Sequence, residues 1–423
     1  MQVWYVFSRF PAATETFAGT DLRMLRELGA KVEAVNLRPN APGDAALLRQ
    51  WNLADLPVDA VTVNKLVVGL GVMVKSPRLL LWLVGIVLRD NWRRPAHVFK
   101  SVLALPRLFQ LHQKLANSPP QVLHLFWGHY PSLLGLLVKR THPGVVVTLF
   151  LGAYDLRARY ATSVTLARHA DAVFTHAQAN VPLLVEAGVP AERIQVIWRG
   201  VDLRRFPPLA EPSSSPTIVS VGRLVPEKGM AEVIETFARV KGECPDARLC
   251  IIGDGPQRRQ LENLAWGSAL TAVEFTGHLP HGEVLGRLSR AAVFVFLSRK
   301  ESECLPNVVK EAMAAGCPCV VSRTWGVEEL VKQGETGFVV EPSDVTTAAR
   351  HVITLLRDRV VRERIARAAR AHIEHNFDAR RSMAQYLAVW GHAVGSRRPT
   401  AATARPAAAV APFEAATSPG ADG

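Results

Sequence analysis

The chain has 423 residues, which favours two domains, and its 48% apolar content is enough for sizeable cores. Fifty basic residues against 37 acidic ones give a formal charge of +13, which favours anionic partners such as nucleic acid, an acidic membrane surface or a phosphorylated substrate. The 5 cysteines predict neither a zinc site nor a disulfide framework, because Cys317 and Cys319 are closely spaced and no second pair supports them. A cytoplasmic chain with free thiols is expected.

The first half of the chain alternates strand and helix patterns. VWYVF is predicted to be a buried strand and not a signal peptide, because the apolar stretch stops at Arg9 and Pro11 without a cleavage site. A helix over TFAGTDLRMLRELGA and a strand over KVEAVNL follow, and QVLHLF, VVVTLF and DAVFTH are later strands. This alternation indicates α/β layers with parallel sheets.

Residues 64–115 depart from this pattern with long helical stretches. The longest apolar run, LLLWLVGIVL at 79–88, is too short to span a bilayer, which needs about 20 residues. The segment has nine Lys or Arg and one acid, Asp90, with Trp82 and Trp92 among leucines. That composition is typical of interfacial helices on anionic lipid. The alternative is a helical hairpin that packs on the sheet and keeps a wet basic face.

The second half repeats the alternation after a Pro/Ser-rich stretch, FPPLAEPSSSP, which is predicted to be an interdomain linker. We therefore predict an α/β chain of two Rossmann-like, doubly wound domains that face each other across a cleft. Ligands of such sheets bind at the carboxyl ends of the strands. The predicted segments are an N-terminal domain at 1–205, the linker at 206–216, a C-terminal domain at 217–378, a helix at 379–395 that crosses back to the first domain, and a disordered tail at 396–423.

Two glycine turns follow consecutive strands of the second half. In VGRLVPEKG, Gly222 lets the chain turn off the strand, and Arg223 and Lys228 precede a helix whose N-terminus favours an anion. A guanidinium and an ammonium together suit a diphosphate. GDGP at 253–256 opens on the same sheet edge. Taken alone, each turn is better explained as an ordinary solvated loop.

The stretch ESECLPNVVKEAMAAG places two acids at the next strand end. A helix is predicted to start at Asn307 with an apolar face, Glu311 at its margin and Lys310 pointing away, while Glu303 lies in the preceding loop. The acids and the free backbone N–H groups at 307–309 suit a ligand with several hydroxyls. Alternatively, Glu311 is a solvated helix residue and Glu303 a loop charge near the helix dipole.

These motifs together resemble a known family. Glu303 and Glu311 have an E-x7-E spacing, and GRLVPEKG, GDGP, RIQVIWRGVDLRRF and GETGFVVEPSD occur in the family's order over about 170–345. The chain resembles the retaining glycosyltransferases of family 4, which have the GT-B fold. SRFPAATETF is similar to the opening of bacterial exopolysaccharide members.

The resemblance implies a nucleotide-sugar donor in the second domain and no required metal or other cofactor, which agrees with the lack of a D-x-D motif. Arg223 and Lys228 would hold the diphosphate and take part in catalysis. Glu311 would bind the ribose, and Glu303 would face the transferred sugar. The further donor-contacting positions that the resemblance implies are Gly222, Gly253, Asp254, Gly255, Leu305, Pro306, Asn307 and Val308.

Several positions depart from the family pattern. Cys304 stands in place of a glycine, and Arg199 in place of an asparagine. The position of the usual acceptor-side histidine is occupied by Phe126, and Leu151 replaces a second histidine in FLGAYD. His129 is the candidate substitute on the acceptor side, although a core or cleft-lining histidine is equally compatible with the sequence. Gly152 and Asp155 are candidate sugar-side contacts.

The expected function is sugar transfer from a nucleotide-sugar donor, with retention, to a lipid-linked glycan in exopolysaccharide or cell-surface polysaccharide synthesis. The expected location is the cytoplasm, at the inner face of the cell membrane, with an anionic membrane surface as a partner. A nucleotide-sugar epimerase of the same fold and a non-catalytic scaffold are the alternatives. Nucleic acid is not an expected partner, because the charge is concentrated in one apolar segment without clustered aromatic strand faces.

Overall fold

A computed structural model of the chain describes residues 1–12, 15–158, 160–206, 216–268, 270–300 and 302–397. The predicted linker, apart from its two end residues, and the predicted tail from residue 398 lie outside the described residues. The strands of the first sheet are β1 (Gln2–Phe7), β2 (Lys31–Asn36), β3 (Val58–Asp59), β4 (Val122–Leu125), β5 (Val146–Phe150), β6 (Ala172–Thr175) and β7 (Ile194–Val196).

The helices of this first half surround that sheet. They are α1 (Thr16–Glu27), α2 (Asp44–Gln50), α3 (Val63–Lys75), α4 (Pro77–Asn91), α5 (Pro95–Asn117), α6 (Pro131–Thr141), α7 (Ala153–Ala158), α8 (Ala161–Ala167) and α9 (Val181–Glu186). The seven strands are parallel in the order β3-β2-β1-β4-β5-β6-β7. The order reverses between β1 and β4, which is where open α/β sheets bind ligands.

The second sheet has the strands β8 (Thr217–Val221), β9 (Arg248–Ile252), β10 (Val273–Gly277), β11 (Val293–Phe296), β12 (Cys319–Ser322) and β13 (Phe338–Val340). Its helices are α10 (Met230–Glu243), α11 (Arg258–Gly267), α12 (His281–Arg290), α13 (Asn307–Ala314), α14 (Val345–Arg357) and α15 (Arg359–Asn376), and a last helix is α16 (Ala379–Gly395). The strands are parallel in the order β10-β9-β8-β11-β12-β13, with the reversal between β8 and β11. Both halves are thus doubly wound Rossmann-like units, as predicted.

Apolar strand faces explain the two cores. Short Val-, Ile- and Phe-rich strands in the middle of each sheet are covered on both sides and buried, as parallel sheets require, whereas the edge strands β7 and β10 are more exposed. The helix α16 packs on the first sheet and not on the second. Tyr386 stacks on Phe174 at 4.1 Å, and the indole N–H of Trp390 donates to Thr148 Oγ1 at 3.1 Å.

The segment 63–117 forms the three helices α3, α4 and α5, whose inner faces join the first core. Among the described residues no single helix is long and apolar enough to cross a membrane. The consecutive helices α3 and α4, which meet at a bend of 103°, reach the required length and composition only as a pair. Three of the segment's cations, Lys65, Arg107 and Lys114, contact Asp59, so the basic face is smaller than the sequence indicates.

Candidate functional site at the strand ends

Main-chain contacts join the two predicted glycine turns of the second domain. Gly222 N–H donates to Ile252 O at 3.0 Å, and Leu224 N–H donates to Asp254 O at 2.9 Å. Gly253 has a φ of +136°, and a Cβ atom there would lie 1.9 Å from Gly222 O. Gly255 is equally constrained, because its Cβ would lie 2.5 Å from Leu224 O. Only glycines permit this approach, so the two turns form one platform at the sheet edge.

Lys228 and Glu303 meet beside this platform. Lys228 Nζ lies 2.7 and 2.6 Å from the two carboxylate oxygens of Glu303, and Ser298 Oγ donates to Glu303 at 2.9 Å. Both charged side chains are mostly shielded from solvent, with 19% and 14% exposed. Lys228, which was predicted to bind the diphosphate, is therefore in direct contact with Glu303, which was predicted to face the sugar. A ligand with a diphosphate can take the place of the carboxylate as the partner of Lys228.

Arg223 lies at the rim of the same edge and is held less firmly. Its side chain is 67% exposed, and its ion-pair contact is with Glu227 at 3.9 Å. The position follows Gly222 directly at the end of β8, as predicted. A solvent-exposed guanidinium of this kind can move toward an anion that binds over the platform.

The start of α13 differs from the sequence expectation at two residues. Val309 N–H donates to Pro306 O at 3.2 Å, so it is not free for a ligand. Lys310 was expected to point away, but it is buried, and its Nζ donates to Arg199 O at 2.9 Å and to Asn307 Oδ1 at 3.0 Å. Burial, followed by the nearby Arg199 charge, lowers the pKa of Lys310 to about 7.

Leu305 and Val308, the other predicted positions around this helix start, are differently placed. Leu305 is buried with a φ of +48°, which turns the chain sharply just before Pro306. Val308 is only partly buried and packs against the core of the second domain. The loop that carries Glu303 is thus fixed by apolar packing on both sides of Pro306.

Glu311 has a partner that the sequence did not reveal. His281, at the start of α12, places Nε2 2.8 Å from Glu311 Oε1. Together with Asn307 they line a pocket of about 410 Å³ between the domains, which Phe17 and Thr20 of α1 close on the other side. His281 follows Pro280 just after β10, and only the fold brings it to α13. Asn307 and Glu311 thus line one pocket. Lys228 and Glu303 are not part of its lining, but they contact each other.

A buried ion pair of the first domain lies next to α13, where Lys310 Nζ donates to Arg199 O. Arg199 Nε lies 3.1 Å from Asp21 Oδ2, and the guanidinium stacks over Phe17, Phe126 and Phe150 at 4.9, 5.0 and 4.4 Å. Burial raises the pKa of Asp21 to about 6 although Arg199 opposes the shift. Arg199, which replaces the asparagine of the family pattern, therefore lies buried at the domain junction.

Cys304, the other departure next to Glu303, also lies at the junction. His176 Nε2 of the first domain lies 3.2 Å from Cys304 O and donates to it. Burial, aided by two nearby cations, lowers the pKa of His176 to about 3, so this histidine is neutral. Burial also raises the pKa of the Cys304 thiol to about 12. Cys304 is therefore not a thiolate nucleophile, and its main chain ties the Glu303 loop to the first domain.

His129 lies at the strand ends of the first domain. Its ring Nε2 is 3.3 Å from Asp155 Oδ1, its backbone N–H donates to Ser163 Oγ at 2.7 Å, and its φ is +61°. The ring borders a pocket together with Tyr160, so His129 is a pocket-lining residue rather than a core one. The contacts that the structure describes do not connect it with Lys228 or Glu303.

Phe126 and Leu151, which stand where histidines were expected, are fully buried. Phe126 belongs to a cluster of aromatic rings with Phe7, Phe17 and Trp127. Gly152 N–H donates to Asp155 Oδ2 at 3.1 Å, whereas Asp155 Oδ1 is buried near His129 without a hydrogen-bond partner among the described residues. Within the part of the chain that the structure describes, no group of three His, Cys, Asp or Glu is arranged to hold a metal ion.

Comparisons with known proteins agree with this architecture. Residues 203–372 match the family model described as Glycosyl transferases group 1. The chain is 34% identical over 250 residues to sulfoquinovosyl transferase SQD2 of Arabidopsis thaliana, covering 55% of this chain and 47% of that protein. It is 26% identical over 421 residues to amylovoran biosynthesis glycosyltransferase AmsK of Erwinia amylovora, covering 92% and 99%. The chain spans about half the length of three relatives that it matches above 30% identity, and 15% of the length of a further one.

Solved structures give the same picture for the fold. The structure of Anabaena Alr3699/HepE in complex with UDP and glucose aligns with a TM-score of 0.67 at 17% identity, covering 93% of this chain and 100% of that one. Sucrose-phosphate synthase from Thermosynechococcus elongatus aligns with a TM-score of 0.68 at 17% identity, covering 94% and 100%. The two parallel-sheet domains are therefore those of the GT-B fold.

Proposed function

We propose that the protein is a GT-B glycosyltransferase that moves a sugar, with retention of configuration, from a nucleotide-sugar donor to a glycan in exopolysaccharide or cell-surface polysaccharide synthesis. The observation that carries the proposal is the contact of Lys228 with Glu303 beside the glycine platform. It supplies a cation for a diphosphate and an acid for a sugar at the edge where this fold binds ligands. The named function of AmsK and the UDP in the HepE structure support it.

In the proposed reaction the donor diphosphate lies over the platform of Gly222, Gly253, Asp254 and Gly255. Lys228 leaves Glu303 to bind the diphosphate, and Arg223 moves in from the rim. The bond between the anomeric carbon and the diphosphate oxygen breaks, and the two cations stabilise the growing negative charge. The acceptor hydroxyl forms the new bond on the same face and passes its proton to the departing phosphate. Glu303, free of Lys228, then faces the oxocarbenium-like sugar.

The nucleoside lies in the proposed complex along the start of α13. Glu311 gives up its contact with His281 and accepts hydrogen bonds from the ribose hydroxyls. The pocket beside Asn307 is open to the nucleoside. No metal takes part in this scheme, because Arg223 and Lys228 provide the positive charge. Activity that is unchanged by a chelator is the expected result.

A thermal-shift panel of nucleoside diphosphates and their sugar conjugates tests the donor site. Stabilisation by one base and its conjugate is expected, and Arg223→Ala should abolish it. The matched control is Arg248→Ala, since Arg248 is an exposed arginine at the opposite end of β9. Unchanged nucleotide binding by Arg223→Ala would contradict the diphosphate assignment.

Product analysis separates the proposed transferase from its alternatives. Turnover of the donor with release of nucleoside diphosphate is expected, and the anomeric configuration of the product reports retention. Conversion of the donor into its epimer would instead identify an epimerase. A protein that binds the nucleotide without turnover would be a scaffold.

We also propose that the helices α3, α4 and α5 bind the cytoplasmic face of an anionic membrane, where a lipid-linked acceptor would be presented. Their outer faces expose large apolar side chains, including Val74 (80%), Leu81 (71%), Trp92 (67%), Phe99 (69%) and Leu103 (69%). Lys75, Arg78, Arg93 and Lys100 lie among them. This mixture of exposed apolar groups and cations fits the interface of an anionic bilayer.

Vesicle sedimentation tests the membrane proposal. Binding to anionic vesicles at low salt is expected, with much weaker binding to neutral ones. Leu103→Ser should reduce it, whereas Val360→Ser, at an equally exposed valine of the second domain (78%), should not. Equal binding to neutral and anionic vesicles would rule out an electrostatic attraction.

A further inference from the structure

The loop that carries Glu303 is held from the first domain as well as from the second. Glu303 itself contacts Lys228 and accepts from Ser298 Oγ, and both of these residues belong to the second domain. In the proposed reaction Lys228 turns to the diphosphate, so Glu303 then depends on Ser298 and on its own main chain for its position. The next residue, Cys304, connects that main chain to the first domain.

Two contacts fix the main chain at Cys304. His176, just after β6, donates from Nε2 to Cys304 O at 3.2 Å, and its ring stacks on Phe150 at 5.4 Å with 28° between the planes. In addition, Cys304 and Trp325 form an isolated parallel β-bridge. The Glu303 loop is thus in contact with a histidine of the first domain and with the Trp325 segment of the second.

Trp325 links that bridge to the first domain. Its indole N–H donates to Asn180 Oδ1 at 2.9 Å, and Asn180 Nδ2 donates in turn to Thr175 Oγ1 at 2.9 Å. Asn180 and Thr175 are fully buried, so the amide has a fixed orientation. The Arg157 guanidinium of α7 lies over the Trp325 ring at 4.8 Å. Trp325 therefore binds the first domain through both its N–H group and its ring face.

Glu329, four residues after Trp325, binds the first domain through both carboxylate oxygens. Oε2 accepts from Gln178 N–H and from Trp198 Nε1, each at 2.8 Å. Oε1 accepts from Ala179 N–H at 2.8 Å. Hydrogen bonds to a carboxylate are stronger than those between neutral groups. Three donors on one carboxylate therefore make a firm contact between the domains.

Gly326 shows how closely these groups pack. It has a φ of +70°, and a Cβ atom there would lie 3.2 Å from Ala179 Cβ, 3.3 Å from Glu329 Oε1 and 3.4 Å from Cys304 Sγ. One residue of the segment 325–329 thus adjoins the first domain, the interdomain carboxylate and the catalytic loop. These groups form one packed unit at the domain junction.

We infer that Trp325 and Glu329 are positioning residues, which hold the Glu303 loop in its donor-facing place only while the first domain is docked on the second. The inference rests on the proposed function, because it assigns the loop a role in sugar transfer. The glycine platform lies wholly in the second domain, so a donor binds it whether or not the domains are docked. Glu303 takes its reacting position only when the other domain is in place. A bound donor therefore stays unreactive until the two domains meet.

The reactivity of the Cys304 thiol toward N-ethylmaleimide reports the position of this loop. The full chain is labelled, and the rate at each cysteine is read by peptide mass spectrometry. Burial raises the pKa of Cys304 to about 12, and the thiolate is the reactive species, so release of the loop into solvent should speed the reaction. Cys244, partly exposed at the end of α10, is the reference thiol, and the buried Cys317 and Cys319 report global unfolding.

Two variants should release the loop without unfolding the protein. Trp325→Phe keeps the ring but removes the N–H group that binds Asn180, so Cys304 should react at least fivefold faster. Glu329→Gln turns an acceptor oxygen into an amide that faces backbone donors, so the increase should be at least tenfold. The reference thiol and the buried thiols should keep their rates in both variants.

The matched controls lie in the second domain. Trp266→Phe changes a tryptophan of α11 that is 68% exposed, and Glu328→Gln changes the acid next to Glu329, whose ion-pair partner Arg323 belongs to the same domain. Neither should alter the rate at Cys304. An equal increase in a control and its matched variant, or faster reaction of the buried thiols in parallel, would overturn the positioning role in favour of general destabilisation.

Nucleotide binding and turnover supply the second measurement. UDP, GDP, ADP and CDP are compared by thermal shift, and the sugar conjugate of the one that stabilises the protein is the substrate. In Trp325→Phe and Glu329→Gln, kcat for release of the nucleoside diphosphate should fall at least fivefold while KM for the donor stays within twofold. A raised KM with unchanged kcat would place both residues in donor binding and overturn the inference.

The labelling experiment needs no ligand, which keeps the inference apart from the proposed function. If none of the four nucleotides binds but Cys304 responds as described, the proposed function is wrong and the interdomain hold on the loop stands. If a nucleotide binds and its conjugate is turned over, but Cys304 reacts at the same rate in both variants, the positioning assignment is wrong.

Discussion

At the strand ends of the second domain, main-chain groups hold the loops together, whereas at the junction with the first domain buried side chains do so. The platform of Gly222 and Gly253 depends on backbone atoms in close approach. The junction depends on the buried side chains of Asp21, Arg199 and Lys310, and the Arg199 guanidinium also stacks on aromatic rings. A side chain added at one of the glycines would clash with the backbone opposite it. Removal of one charged partner at the junction would leave the other buried without its partner.

The difference has an energetic consequence. A buried ion pair adds little when intact, because desolvation offsets most of the attraction, but loss of one partner leaves an uncompensated charge. A backbone approach fails for a steric reason and does not depend on pH or salt. The two regions should therefore respond differently to substitution and to acid.

The largest expected effect is on the junction. Arg199→Met leaves the carboxylate of Asp21 buried without its cation, so the free energy of unfolding should fall by about 3–5 kcal/mol at neutral pH. Urea unfolding followed by tryptophan fluorescence measures it. The loss should be smaller at pH 5, because the pKa of Asp21 is about 6 and the carboxyl group is then protonated.

A double variant is the control for that prediction. Asp21→Asn combined with Arg199→Met removes both charges, so it should lose clearly less stability than Arg199→Met alone. A single variant that loses less than about 1 kcal/mol would show that the rings, and not the ion pair, hold the junction.

The next effect is on the backbone-built edge. Gly229 has a φ of +67°, and a Cβ there would lie 1.9 Å from Leu297 O. Gly229→Ala should destabilise the second domain by about 3 kcal/mol at every pH and shift Lys228 out of reach of Glu303. In the same helix, Gly242 has open space around it, so Gly242→Ala should stabilise by about 0.5 kcal/mol. The same sign for both variants in urea unfolding would contradict the steric argument.

The family resemblance predicted the GT-B fold. The sequence pattern predicted the alternating strands, the two doubly wound domains and the edge on which Gly222 and Gly253 lie. These features depend on local pattern, because strand ends and glycine turns have a fixed place in a parallel sheet. Lys228 follows β8 and Glu303 follows the neighbouring strand β11, so the topology brings them to one edge, but the sequence did not predict that they contact each other. The assignment of diphosphate and sugar to these residues remains a proposal.

The sequence could not predict which charged side chains are buried at the junction. Lys310 was expected to point to solvent because only helix periodicity was considered, whereas the residue that covers it, Arg199, is more than 100 positions away. His281 was missed for the same reason, since its contact with Glu311 joins two helices that follow different strands. Contacts between elements distant in the chain leave no local signal.

The smallest expected effect distinguishes the two regions by pH. The pKa of Lys310 is about 7 in the folded protein, below the ordinary 10.5, because burial disfavours the ammonium. From pH 7 to 8 the unfolded chain binds more protons at this lysine, so the free energy of unfolding should rise with pH over that unit. Above about pH 8 the buried thiols act in the opposite direction, because burial raises their pKa, to about 12 for Cys304, and the unfolded chain loses those protons first. The rise should reach about 1 kcal/mol per pH unit and disappear in Lys310→Met, but persist in Lys332→Met at an exposed lysine. A rise that survives in Lys310→Met would assign the pH dependence to another group, and the junction would then hold Lys310 as a permanent cation.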